Sequence, residues 1–498
     1  MGDHTIQSVA VVGAGISGIV SAAHLLASGK NVTIFERSQA AGGVWLYDKR
    51  VPIEAHYPSL KPSGEQIIGR GKERQALLHA PPGWVNILSS LTPAITTATI
   101  SRFYDADCFR PCYESLTNNV STPLLRTKLN SWPEGTLDYV NHNALQNYIQ
   151  DTSKKSGAHD VTIYGALVTN LHKEGHKWHI SWSSLSDDTQ SDSLIESNHV
   201  QTFDAVVIAS GHYHTPLVPD IPGLSKAKEE WPSKITHSKS FRNTEGFEGK
   251  NVLLIGGGVS SMDIAREISP VCQKIYQSTR NGAFDLPAST LPQNVSRIGE
   301  IAEFKINAPI EDSDRDLPIT AETKSGHTMH NIDRIVLCTG YQMTLPFLPQ
   351  YNDNSKTVTE ADDTILVTDG TQFHNLHRDI FYIPDPTLVF VGIPFYTATF
   401  TLFEFQAIVV AELFSGNIKL PSESNLRSEY QEKLSTKGHG RSFHSLKGEE
   451  ENYVKLLLGW VNDERSQNGL PSIEGHTESW IKARGEQIDR LNQTLRNN

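Results

Sequence analysis

One pattern, written twice, constrains this chain most: an apolar, β-branched run, a glycine cluster and then a helical stretch. The first copy runs from Gln7–Val12 through Gly13-Ala14-Gly15-Ile16-Ser17-Gly18 into Ser17–Ala27, where Ile19, Val20, Ala23 and Leu26 recur at helical spacing. Asn31–Phe35, alternating and β-branched, reads as the second strand of a βαβ unit. The second copy has Asn251–Ile255, then Gly256-Gly257-Gly258-Val259-Ser260-Ser261, a helix from about Ser261 to Ile268, and a strand at Lys274–Ser278. About 240 residues separate the clusters, far beyond the roughly 20–50-residue period of a solenoid. The expected fold is α/β, with two Rossmann-like dinucleotide-binding domains.

Each half is closed by an apolar strand. Phe203–Ala209 ends in Ser210-Gly211, and Ile332–Cys338 ends in Thr339-Gly340. Pro216, Pro219 and Pro222 follow the first, and Pro346 and Pro349 the second. Proline pre-sets extended backbone and suits a crossing between domains. The second unit is thus expected to be inserted in the first: residues 1–214, an inserted 215–333, and 334–498 returning to the first domain with C-terminal helices. Ser181–Asn198, rich in Ser and Asp, reads as a polar hairpin tip or loop. Tyr453–Trp460 offers one apolar helical face in an otherwise polar C-terminal region.

Each residue of the first loop has a chemical reason. Gly13 permits the tight turn, Gly15 lets backbone approach a pyrophosphate, and Gly18 lets helix and strand pack closely. The helix N-terminus offers free N–H groups and a positive dipole end to phosphates. Glu36, about twenty residues on, ends the next strand, where a carboxylate accepts from ribose hydroxyls. In the second loop Ser261 replaces the third glycine, and the helix is expected slightly further from its strand. No acid ends the following strand; Ser278 and Arg280 stand there. An acid would repel a 2′-phosphate, whereas Ser278 and Arg280 suit one, which points to NADPH rather than NADH. Gly42-Gly43-Val44-Trp45 reads as a close backbone approach to a second ligand edge, with Trp45 as a wall.

The charge balance of 44 Lys+Arg against 56 Asp+Glu, net −12, argues against nucleic-acid or anionic-membrane partners, which need clustered cations. No apolar run is long enough to span a bilayer; the nearest candidate, Thr387–Phe414, is broken by Pro394, Glu404 and Glu412. Four cysteines (Cys108, Cys112, Cys272, Cys338) make no disulfide framework, and the chain reads as a cytoplasmic protein with reduced thiols. His439 and His444 lack zinc-ligand spacing and read as solvated loop, so no metal is expected. His237, His212 and His214 read as packing groups near the domain junction. Phe390–Phe405 suits either a substrate-cavity wall or plain core.

Over roughly Val9–Pro421 the chain resembles the flavin-containing monooxygenases of the two-dinucleotide-domain type. GxGxxG and E-x₅-GGxW stand as Gly13–Gly18 and Glu36–Trp45, and GxGxS stands as Gly256–Ser260, followed by Ser261. The family's F-x-G-x₃-H-S-x₂-[YF] segment is met by Trp231, Ser233, His237-Ser238 and Phe241, with Trp for Phe and Ser for Gly. Phe241-Arg242 stands where related Baeyer–Villiger enzymes carry Trp-Pro. Cys338-Thr339-Gly340-Tyr341 resembles the ATGY link, and Glu404-x-Gln406 a flavin-contacting E-x-Q. Leu116–Ser121 aligns with L-x-T-N-x-P, placing Asn119 at the flavin-side Asn, with Asn118 for Thr and Ser121 for Pro.

The resemblance implies FAD on the first unit and NADPH on the second. NADPH reduces the flavin, O₂ is captured as a C4a-hydroperoxide, and a nitrogen or sulfur nucleophile of a small-molecule substrate takes the terminal oxygen. Asn119 is the implied catalytic hydrogen-bond donor, and Val168 and Gln406 join the cofactor-binding residues. Baeyer–Villiger oxidation or carbon hydroxylation is the alternative, and a non-catalytic nucleotide sensor a distant one. Substrate identity and oligomeric state stay open.

Overall fold

The computed structural model describes residues 5–62, 110–187, 194–307 and 317–496; Cys108 lies outside them. Two sheets organise the chain. The first has strand order Leu376–His377, Phe381–Tyr382, Leu388–Phe390, Ala205–Ile208, Ser8–Val12, Asn31–Glu36, Thr162–Tyr164. Its centre is parallel, with Val9 opposite Val32 on one side and Ala205 on the other. The second, wholly parallel, runs Val295–Ile298, Lys274–Ser278, Asn251–Ile255, Arg334–Leu337, Ile235–His237. Val9, Ala10 and Val11, like Val252, Leu253 and Leu254, are fully buried. Strands covered on both faces explain why these stretches are continuously apolar rather than alternating.

The second sheet lies within the sequence of the first. The outward and return crossings, Thr215–Pro216 and Tyr341–Gln342, pair antiparallel as their own ribbon, Tyr341 facing Pro216. Arg334–Leu337 is a strand of the second sheet, so the return crossing begins after Leu337 rather than after Asp333. Asp333 is itself tied inward, its carboxylate accepting from the Asn251 N–H at 2.7 Å.

Ser181–Asn198 is more ordered than its composition suggests. Lys177–Asp187 and Leu194–Phe203 form a long antiparallel hairpin with Leu167–Glu174, and only 188–193 between them lie outside the described residues. Serine and aspartate are tolerated there because backbone pairing carries the hairpin while one face meets water.

The Thr399–Phe414 helix packs against Ile16–Ala27 in one apolar core. Its acids are engaged locally: the Glu404 carboxylate accepts the Lys128 backbone N–H at 2.7 Å and faces His24 Nε2 at 3.2 Å, and Glu412 pairs with Arg465. Among the described residues no helix is long and apolar enough to cross a membrane. Beyond it lie helices Glu423–Lys437, Glu450–Gln467 and Glu478–Arg496. The last is anchored by Trp480, buried with Leu124 and Ala398. His439 is exposed, but His444 is not solvated as its sequence context suggested. It is fully buried, with Nδ1 2.8 Å from Asp379 Oδ1 and Nε2 accepting the Phe373 N–H at 3.0 Å.

Candidate active site

Both glycine loops make the same move. Gly13 has φ +105°, and a Cβ there would lie 2.7 Å from the Ala209 carbonyl oxygen; Gly256 has φ +123°, with the corresponding gap to Cys338 O 2.4 Å. In each case the chain turns so close to the end of the neighbouring strand that only glycine fits. The helices that follow begin at Gly15 and Gly258, with no side chain capping them and no acid in the first turn. Their N–H groups and positive dipole ends are left for an anion.

Both ends open on one cavity of about 2740 Å³. A drug-sized ligand occupies a pocket of roughly 300–1,000 Å³, so there is room for two dinucleotides and a substrate. From the first unit the wall takes Gly13, Gly15, Glu36, Gly43, Trp45, Asn119 and Val168. From the second it takes Gly256, Gly258, Ser260, Ser278 and Arg280. Uncapped helix ends and an arginine as donors, with a carboxylate as acceptor, are groups that suit two such dinucleotides, and the residues fit them.

Three expected site residues stand behind the wall. A Cβ on Gly18 would lie 1.8 Å from Gly13 O, so this glycine sets the closeness of helix and turn. Ser261 is fully buried, its hydroxyl accepting from Gln277 Nε2 at 2.8 Å. Gln406 is fully buried and does not line the cavity, and each end of its amide makes one hydrogen bond. Oε1 accepts the Gly392 N–H and Nε2 donates to the Tyr453 hydroxyl, each at 3.0 Å. Gly392 lines the cavity, and a Cβ there would lie 2.3 Å from Ser17 Oγ; Gln406 thus holds the wall rather than forming it.

The Glu36 carboxylate accepts the Ala14 N–H at 2.7 Å and the Ser38 N–H at 2.9 Å, with Arg110 Nη2 at 3.7 Å. Each oxygen accepts one N–H and keeps capacity for another donor. Gly42 N donates to Ala14 O at 3.0 Å, and a Cβ on Gly43 would lie 2.9 Å from Gly15 Cα, so the paired glycines press on the first loop itself. In the second unit Ser278 Oγ donates to Gly299 O at 3.0 Å, while Arg280 is exposed to the cavity. Arg441, from the C-terminal region, also faces the cavity; desolvation by the surrounding protein lowers its pKa, and the nearby Arg280 charge adds to that. Two guanidiniums sharing one region favour an anion between them.

The two adjacent asparagines divide their work. Asn118 is buried, donating through Nδ2 to Val120 O at 2.7 Å and Asp138 O at 2.9 Å and accepting the Val140 N–H at 2.6 Å. With its neighbour so pinned, Asn119 is exposed on the cavity wall. The histidines hold the junction. His237 Nδ1 accepts the Lys239 N–H at 3.1 Å, which leaves Nε2–H to donate to Gly340 O at 3.1 Å; burial pushes its pKa down to about 3. His214 bridges Ser210 O at 2.5 Å and Arg37 Nη2 at 2.8 Å. His212 borders the cavity, and desolvation lowers it to about 4. Cys112, Cys272 and Cys338 are buried free thiols, each raised to about 12 by desolvation and therefore poor nucleophiles.

Sequence reading missed Arg110, Arg441, Arg484 and Gln487, all on the cavity wall. The last three come from polar segments whose composition is that of any solvated helix or loop. Trp480 was the available signal, since a tryptophan in a polar helix marks a buried face.

Comparison with known proteins agrees with this geometry. Residues 11–57 match the NAD(P)-binding Rossmann-like domain family, and residues 103–295 the flavin-binding monooxygenase-like family. The flavin-containing monooxygenase ustF2 of Aspergillus flavus is 48% identical over 502 residues, covering 96% of each chain. A second from that organism, ustF1, is 40% identical, covering 99% of this chain and 92% of its own. Among solved structures, S-allyl-L-cysteine S-oxygenase from Allium sativum superposes with TM-score 0.66 at 23% identity, over 98% of this chain and 93% of that one; this likeness speaks for the fold alone.

Proposed function

We propose, from the premise that this chain belongs to the flavin-containing monooxygenase family and uses FAD and NADPH, that it oxygenates a nitrogen or sulfur atom of a small molecule. The balance is one NADPH, one proton and one O₂ consumed, with one oxygen atom delivered to the substrate and the other leaving as water. The observation that carries the reading is the exposed amide of Asn119, placed on a wall shared by both glycine loops while Asn118 is locked in the scaffold.

Bound FAD, reduced by NADPH, supplies the activated oxygen. The chain's own part is to bind, orient and exclude water. The uncapped helix at Gly15 would hold the FAD pyrophosphate and Glu36 its ribose, while the helix at Gly258 would hold the NADPH pyrophosphate and Arg280 its 2′-phosphate. Asn119, on the cavity wall, would donate its amide N–H to the reacting oxygen, and Trp45 and Val168 would help keep water out. Arg242 takes no place on the wall: Nη1 donates to Lys239 O and Phe241 O, each at 2.8 Å, and Nε to Arg50 O at 2.9 Å. The test is anaerobic reduction with NADPH followed by oxygen in the presence of amines, thioethers or ketones. N-oxides, hydroxylamines or sulfoxides are the expected products; lactones or esters from ketones alone would refute the reading.

A further inference from the structure

Three distant stretches meet on the cavity wall around Asn119. Its loop is fastened to the last helix by the Ser121 N–H, which donates to Gln487 Oε1 at 3.0 Å. One turn earlier on that helix Arg484 also faces the cavity. Thr397 and Thr399 line it too, flanking Ala398, whose N–H donates to both carboxylate oxygens of buried Glu450 at 3.0 Å. Arg484 Nη2 stands 4.0 Å from Glu450 Oε2, too far for a hydrogen bond. Burial pushes the Glu450 carboxyl up to about 7, and Ala398 and Arg484 pull it only part of the way back. Among the described residues no hydrogen bond engages the Arg484 guanidinium, and Glu450 is its one carboxylate neighbour within 4.0 Å. No Asp or Glu from these stretches lines the cavity among the described residues.

We propose that Arg484 binds a carboxylate of the substrate, so that this site takes anionic thioethers or amines, amino-acid derivatives among them. The inference rests on the heteroatom-oxygenation reading and adds the substrate's second anchor. A guanidinium meets a carboxylate through two parallel N–H···O bonds, which fixes direction as well as distance. At 17% side-chain exposure the pair forms with little competing water. The uncharged amide of Asn119 then stays with the reacting end of the molecule.

The test is calorimetric titration of the FAD-loaded enzyme with (benzylthio)acetate and with its methyl ester. Wild type is expected to bind the acid about tenfold more tightly than the ester. Arg484→Ala brings the two within about twofold, and Arg484→Lys keeps part of the preference, having charge without the paired donors. Equal wild-type affinities, or a preference that survives Arg484→Ala, would overturn the assignment. Should Arg484→Ala not fold, the wild-type and Arg484→Lys titrations still decide. Sulfoxide formed from acid and ester with equal kcat/KM refutes the carboxylate anchor and keeps the oxygenation. Selective acid binding without sulfoxide supports the anchor and refutes the oxygenation.

Discussion

At Gly13–Gly18 and at Gly256–Ser261 the chain makes the same turn against a neighbouring strand, and the two units part company only at the helix and at the next strand end. In the first, Gly18 brings helix and turn so close that no Cβ fits. In the second, Ser261 occupies that position with its hydroxyl engaged by Gln277, whose Oε1 in turn accepts from Arg297 at 2.7 Å. At the strand end the first unit presents the Glu36 carboxylate and the second presents Ser278 and Arg280. In the proposed function the backbone supplies the pyrophosphate grip in both units, and the strand-end side chain is what would set which ribose is accepted. A carboxylate suits free hydroxyls and rejects a 2′-phosphate; an arginine does the reverse.

Substitution can break this comparison. The largest effect is expected for Gly18→Ala. A methyl 1.8 Å from a carbonyl oxygen cannot be accommodated without moving the turn, at a cost of roughly 1–3 kcal/mol or more. The purified variant should hold little FAD and melt lower; full flavin content at an unchanged Tm would show that the first loop does not need its tightness. Next is Arg280→Ala, expected to raise the KM for NADPH about tenfold while that for NADH moves less than twofold. Equal shifts with both nucleotides would remove Arg280 from the 2′-phosphate.

Asn119→Ala should leave FAD content intact and raise severalfold the share of oxidised NADPH that appears as H₂O₂ instead of product. Unchanged coupling would remove Asn119 from the oxygen-transfer step. The smallest effect is expected for Ser261→Ala, which strands a buried Gln277 donor at a cost of about 1 kcal/mol. Its NADPH KM should stay within about twofold of wild type. A large KM change there would mean that the third loop position touches the nucleotide in the second unit.

The glycine loops were readable in the sequence because their demand is local: a left-handed φ or a missing Cβ leaves its mark at the residue concerned. Glu36, Ser278 and Arg280 follow by counting to the end of the next strand. What distant segments contribute left no such mark. Arg441, Arg484 and Gln487 look like any polar surface, and it is the docking of Trp480 beside Leu124 and Ala398, with the Ser121–Gln487 hydrogen bond, that turns the last helix inward. Gln406 carries a local pattern as well, but its amide is engaged by Gly392 and Tyr453 behind the cavity wall, a placement that no spacing in the sequence displays. His444, in a Gly- and Ser-rich stretch, gave no hint of Asp379, because that partner lies 65 residues away. The apolar strand Ile332–Cys338 resembles the one before the first crossing, which in sequence points to a boundary at Asp333. Pairing with Asn251–Ile255, which sequence does not display, assigns that strand to the second sheet.

The most direct measurement is anaerobic spectroscopy of the purified chain. Two nucleotide grips opening on one cavity predict about one FAD per chain, with its visible absorbance bleached by NADPH before any oxygen is admitted. A chain that neither carries nor takes up FAD, or whose bound FAD stays oxidised under NADPH, would contradict the account.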